Sequence, residues 1–192
     1  MSLKVSPTYF HTKDMVLFMI DSLKNVSVLG RVAYAIMCFE KYVVSVYPSI
    51  DYSPVVEIMW SIIDGSNYLD ESAYKYIEII PECLFEFYSY ENSDFEYLSK
   101  DEYLLFTRLL NNDDQNLNTI MKCIYDIAMA YAYTPVEPNA PATLPFLKKV
   151  KTVLLTNNIE PPDEAIVSKY TASGTDGLGE CFDGRYLSII LS

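Results

Sequence analysis

The sequence predicts a mainly α-helical, single-domain bundle. Three observations carry that expectation. Apolar residues recur at alternating spacings of three and four, helix start signals precede several of those runs, and strand-like character is confined to the late run YLSIIL. With 192 residues, 51% apolar and 21% charged, the chain has the length and balance of one ordinary globular domain. About seven or eight helices fit residues 1–192. A Pro-rich internal linker spans 134–145, and a Gly-rich tail spans 173–192 with room for one short terminal β-strand or hairpin.

A first helix is expected from Thr12 to Lys24, with Met15, Leu17, Phe18 and Met19 turned inward. In the second, Leu29, Val32, Ile36, Phe39, Val43 and Val46 form one stripe, and Ala33, Ala35, Met37, Cys38 and Val44 make the other faces apolar. A helix apolar all round belongs at the centre. Ser53-Pro54 reads as a helix start that leads into Val55, Ile58, Met59, Trp60 and Ile62 and stops at Asp64-Gly65. Trp60 is expected in the core.

Asp70 is placed to cap a helix through Tyr76, Ile77, Ile80, Leu84 and Phe87, which Pro81 must kink or divide. Ser99-Lys100-Asp101-Glu102 has the form of a capping box ahead of Leu105, Phe106, Leu109 and Leu110. After the break Asn111–Asp114, Leu117, Ile120, Met121, Ile124, Ala128 and Tyr131 form another buried stripe. The four prolines of TPVEPNAPATLP predict an extended surface connection. Phe146, Leu147, Val150, Val153 and Leu154 mark the next helix, with Lys148, Lys149 and Lys151 on a solvated face. Pro161-Pro162-Asp163 starts a short one carrying Ile166 and Val167.

Charge is unevenly distributed. Between Asp51 and Asp114 there are 15 acidic residues against Lys75, Lys100 and Arg108, an excess of 12, so this third of the chain carries the whole net charge of −12. A local negative field of that kind favours a basic partner and disfavours nucleic acid, whose phosphates require clustered Lys and Arg. No run approaches the roughly 18 apolar residues of a membrane helix, and MSLKVSPTYFHTKD lacks the apolar core of a secretory signal. A cytoplasmic protein with reduced, core-filling Cys38, Cys83, Cys123 and Cys181 is expected.

Signals for catalysis are weak. His11 is the one histidine and has no Cys, Asp or Glu pattern beside it. GxSxG, HExxH and GxxxxGK[ST] are absent. The stretch from Gly174 to Gly184 carries Asp176, Glu180 and Asp183 and no lysine, so it suits a flexible connection better than a phosphate cradle or calcium loop. No catalytic residue, metal site or cofactor is assigned. An acid-dependent hydrolase would need two converging, poorly solvated carboxylates.

What stands out is YSYENSDFEYLSKDEY, residues 88–103. The capping box accounts for Asp101 and Glu102, leaving Tyr88, Tyr90, Glu91, Asp94, Phe95, Glu96 and Tyr97 unexplained. Glu78, Glu82 and Glu86 precede them at successive i,i+4 spacing. That spacing lines one ridge of a helix, unless Pro81 begins a new one and places Glu82 in its first turn. These ten residues are the candidate partner-binding set, with carboxylates supplying the field and aromatic rings the anchors.

The helix RVAYAIMCFEKYV (31–43), the Trp60 segment EIMWSIID, YLDESAYKYIEIIPE (68–82) and the TLPFLKKV helix after the Pro-rich stretch form an arrangement spread over most of the chain. That arrangement resembles the mostly all-helical immunity proteins of bacterial polymorphic toxin systems. The resemblance implies a protein that binds and neutralises a cognate toxin of the same cell and has no catalysis of its own. A toxin nuclease presents a basic cleft, which an acidic face would meet quickly. The alternative is a general helical interaction or regulatory module with another basic partner.

Overall fold

One helix is buried on nearly every side. Its residues Val28 to Glu40 are all buried, as the all-round apolar pattern predicts. The structure, a computed structural model, describes residues 21–65, 71–110, 113–172 and 176–192. The expected first helix lies outside the described residues up to position 20, as do His11, Asp70, Asn111 and Asn112, and Asp21–Asn25 forms a 3₁₀ turn. Seven α-helices follow among the described residues: α1 (Val28–Val46), α2 (Ser53–Asp64), α3 (Glu71–Ile79), α4 (Pro81–Leu84), α5 (Lys100–Leu109), α6 (Gln115–Met129) and α7 (Leu144–Thr156). Helix α1 is surrounded by α6, α2 and α7, α6 also packs on α7, and α3 lies against α2.

The helix starts follow local chemistry. Ser27 caps α1 by accepting from the Gly30 amide at 3.2 Å, and Ser99 and Glu102 form the predicted reciprocal capping box of α5. Ser53 does not act as a cap. It opens α2: the Val55 and Val56 amides that a Ser53 cap would take donate to Tyr52 O, both at 3.0 Å, and Asp51 Oδ1 accepts from the Ser53 amide at 2.9 Å. Leu117, Ile120, Met121, Ile124, Ala128 and Tyr131 are buried as the period predicts, and Trp60 lies fully in the core.

The non-helical segments are fastened to α1 by polar side chains buried within it. Arg31, wholly inaccessible, donates from Nε to Leu23 O at 3.0 Å. One terminal nitrogen donates to Ala140 O at 2.7 Å and Thr143 Oγ1 at 2.6 Å, and the other to Lys24 O and Asn139 O, both at 2.8 Å. All five guanidinium donors are used. The Pro-rich stretch is therefore no extended connection. Asn139 and Ala140 turn it through the left-handed region (φ 63° and 39°), Ala140 and Thr143 are buried, and Leu144 already begins α7. That conformation costs about 1–2 kcal/mol per residue for an L-amino acid, which the bonds to Arg31 offset.

Further along α1, Tyr34 donates to Pro162 O at 3.1 Å. Beside its ring lies Lys151, buried and paired with Glu164 rather than standing on a solvated face with Lys148 and Lys149. Position 151 lies one helical turn from the buried Leu147, on the face of α7 that meets α1, so its ammonium requires a carboxylate partner. Glu40 Oε1 accepts from Trp60 Nε1 and Ser188 Oγ, both at 2.7 Å, and Oε2 from the Ile189 amide at 2.6 Å. Asp114, the N-cap of α6, accepts from Tyr42 at 2.5 Å and Tyr47 at 2.8 Å.

These contacts replace the expected terminal strand. Arg185–Leu187 is a 3₁₀ turn, and no strand ladder forms among the described residues; the Ile189 amide that a ladder would use is given to Glu40. The described part of the Gly-rich tail is fastened rather than loose: Gly177 O and Leu178 O accept from the Val28 and Leu29 amides, completing the first turn of α1. Gly184 is required by proximity, since a Cβ there would lie 2.3 Å from the Trp60 ring. Pro161-Pro162-Asp163 leads only to a 3₁₀ turn, Glu164–Ile166, capped by Asp163.

Burial pulls the Arg31 guanidinium down to about 10, so it remains charged at neutral pH. Arg31→Met removes the donor of all five bonds, three of them buried, and is expected to lower unfolding free energy by about 3–5 kcal/mol in urea titration. Burial raises the Glu40 carboxyl above its ordinary 4.5, opposed by its three donors. Between that value and the raised one the folded chain holds a proton that the unfolded chain releases, so stability falls as pH rises through the window. Glu40→Gln should flatten that slope, followed as the urea midpoint against pH by the emission of Trp60, the one tryptophan.

Candidate functional site

Pro81 divides the segment that delivers the acidic loop. It holds Ile80 in an extended conformation (ψ 133°), ends α3 at Ile79 and opens the single-turn α4. Glu82 falls in the first turn of α4, where the helix dipole favours it, and the chain leaves helical conformation at Phe85 rather than continuing to Phe87. Glu78, Glu82 and Glu86 consequently do not line a single ridge. The i,i+4 relation does not survive a helix break.

Glu78 points back under the loop. Its carboxylate accepts from the amides of Glu96 at 2.7 Å, Tyr97 at 3.0 Å and Leu98 at 2.8 Å, three successive backbone donors held by one side chain. Charge-assisted bonds of this kind are about twice as strong as neutral ones. Glu78 is thus the anchor of the loop.

The aromatic residues divide in the same way. Tyr90 lies in a 3₁₀ turn and donates to Leu98 O at 2.9 Å. Phe95 meets Phe87, Tyr103 and Tyr90 at centroid distances of 5.6, 5.7 and 6.4 Å, a small aromatic core beneath the loop. Tyr97, half-buried, stacks on Tyr74 at 5.5 Å and 15°. Tyr88 alone of the four proposed anchors is fully presented, at 100% exposure.

Lys75 pairs with Glu102 and Lys100 with Glu91, whose carboxyl is held down at about 2 by that hydrogen bond. Glu82, Glu86, Asp94 and Glu96 are exposed and make no ion pair among the described residues. Of the ten predicted residues, the structure assigns Glu78, Tyr90 and Phe95 to building the loop and Glu91 to a surface pair. Tyr97 is shared between loop and surface, and Tyr88 and the four unpaired acids face solvent.

Three residues that sequence pattern did not single out complete the surface. Phe85 and Leu104 are 43% and 46% exposed, and with Arg108 they line an open groove of about 710 Å³ between the 85–88 turn and α5, together with Glu86, Phe87, Tyr88, Tyr103 and Thr107. Leu104 was discoverable: Tyr103, Phe106 and Leu110 define the buried face of α5, and Leu104 lies off it. Tyr133, beside Tyr74, carries the row begun by Tyr97 further across the surface.

Among the described residues no group of three His, Cys, Asp and Glu could hold a metal ion, and no helix is long and apolar enough to cross a membrane. The cavity under Pro161 and Pro162 is lined by Glu160, Asp163 and Glu164, but Asp163 accepts from the Ala165 amide and Glu164 is paired with Lys151. The exposed acidic and aromatic groups of the loop and groove can do one thing well. They can bind a cationic, partly apolar surface.

Glu78→Gln should loosen the loop by about 1–3 kcal/mol and speed hydrogen exchange at the 96, 97 and 98 amides. Tyr88→Ala, by contrast, should change thermal stability by no more than about 0.5 kcal/mol, the behaviour of a side chain with no folded-state contact.

Comparisons of the chain with protein-family models, with curated proteins and with solved structures return no match, and what the site binds is argued from its charge and shape.

Proposed function

We propose that the chain is an immunity-type inhibitor, a helical protein that binds a cognate bacterial toxin and neutralises it by covering a basic surface with its acidic loop. The observation that carries this reading is the set of exposed carboxylates Glu82, Glu86, Asp94 and Glu96, which form no ion pair among the described residues and lie in the same short stretch of chain as the fully exposed Tyr88. Like charges gathered in one short stretch of chain do not stabilise a fold, and their summed field reaches about 8–10 Å into solvent at physiological salt. A toxin that acts on a polyanion needs a basic cleft, and such a cleft is the surface on which this field draws an inhibitor in.

The support from preorganisation is as important as that from charge. Glu78, the capping box of α5 and the Phe87–Phe95–Tyr103 cluster hold the loop in one shape, so little conformational entropy is lost when it docks. Tyrosine adds large contact area with a polar tip.

Co-expression with the product of a neighbouring toxin gene should give a copurifying complex and relieve toxicity. The association rate should fall at least about tenfold between low and high salt, and charge reversal at Glu82, Glu86, Asp94 and Glu96 should lower it similarly while leaving thermal stability intact. A salt-insensitive association rate, or full affinity after the reversal, would sink the proposal.

A further inference from the structure

Resting on the acidic-face reading, we infer that the groove between the 85–88 turn and α5 is the pocket that selects the partner. Its occupant is a basic amphipathic helix, whose apolar side chains at i and i+4 enter the groove while its Lys or Arg residues meet the acidic rim. The apolar walls require an explanation first. Phe85, Tyr88 and Leu104 are exposed together around one concavity, whereas a chain with a core of this size has ample room to bury single rings. Clustered apolar exposure rimmed by polar groups marks an interaction surface. The groove is open, and its volume of about 710 Å³ exceeds what one side chain fills. A pair of side chains one helical turn apart is the natural fit.

Charge then chooses the partner. Glu86 lines the groove, Glu82 belongs to the helical turn leading into it, and Asp94 and Glu96 lie on the loop leading out, all exposed. A neutral or acidic apolar helix would leave Glu86 opposed by nothing or by like charge within the negative field of the surrounding segment, so the occupant is cationic. Arg108 adds direction. It is the one basic residue lining the groove, and among the described residues it forms no ion pair. Its planar fork repels a cation at that wall and suits a carboxylate or the free carbonyls at a helix C-terminus. The bound helix is thereby oriented, with its cations toward Glu86 and an acceptor toward Arg108.

The test uses the full chain and two designed helical peptides of equal charge, one of leucine and lysine and one with every leucine replaced by serine, titrated by calorimetry. The leucine peptide should bind at least about tenfold more tightly, and Tyr88→Ala combined with Leu104→Ser should abolish that advantage while preserving the weak, salt-sensitive binding of the serine peptide. Both residues are exposed, so the double variant should keep its circular dichroism and melting temperature. Equal binding of the two peptides, or an advantage that survives the double variant, overturns the inference. Toxin rescue is scored separately. A double variant that neutralises toxin at undiminished affinity overturns the groove and leaves the inhibitor reading standing. Peptide selectivity without any toxin complex supports the groove while removing the inhibitor reading.

Discussion

Arg31 must place five hydrogen bonds where no water reaches it. An unpaired guanidinium in that position would be prohibitively unfavourable, and among the described residues the demand is met by four backbone carbonyls and the Thr143 hydroxyl. Those acceptors come from two segments far apart in the chain, Leu23 and Lys24 before α1 and Asn139 to Thr143 before α7. A single side chain therefore fixes the entry to the central helix and the turn into the last one, and α7 in turn carries the buried Lys151 and the wall against which Tyr34 and Pro162 meet. The arrangement depends on α1 being dry, because the same bonds exposed to water would contribute little.

Glu40 repeats the pattern with the opposite sign. Nine residues further along α1 it receives Trp60, Ser188 and the Ile189 amide, tying α2 and the C-terminal tail to the same axis. Asp114 does the same for α6 through Tyr42 and Tyr47. Hydrophobic burial collapses the helices together, but it is non-directional and would accept more than one arrangement of the connecting segments. The buried polar groups supply direction. Each is satisfied in only one placement of its partner, so irregular segments that have no ladder or helix of their own acquire a defined position.

Where sequence pattern succeeded and failed follows from this division. Period and caps located α1, α5 and α6 and placed Trp60 in the core, because amphipathicity and capping are local properties. The same reasoning missed the roles of Arg31 and Glu40, although a charged residue within VLGRVAYAIMCFEKYVV is itself a signal that a buried partner must exist. Lys151, the Pro-rich stretch and the terminal YLSIIL were misjudged for one reason. Composition predicts solvated lysines, extended prolines and strand-like aliphatics, whereas here long-range partners 13, 109 and 149 residues away decide the conformation. For the acidic loop, charge density was legible and its division into structural and exposed carboxylates was not, since that depends on the break at Pro81.

That division changes what the acidity means. Glu78, Glu91, Glu102 and Asp114 all lie in the segment that carries the net charge, yet each has a donor or a lysine and serves to hold the chain in place. Within residues 82–96 the exposed acids Glu82, Glu86, Asp94 and Glu96 form no ion pair among the described residues, and Glu86 lines the groove beside Tyr88. If solubility were the purpose, acids could lie anywhere on the surface. Concentrating them in residues 82–96 raises the local potential at the expense of self-repulsion, a compromise that does little for folding and favours association with a cationic surface. The acidity open to a partner is therefore that of exposed carboxylates which no ion pair among the described residues engages.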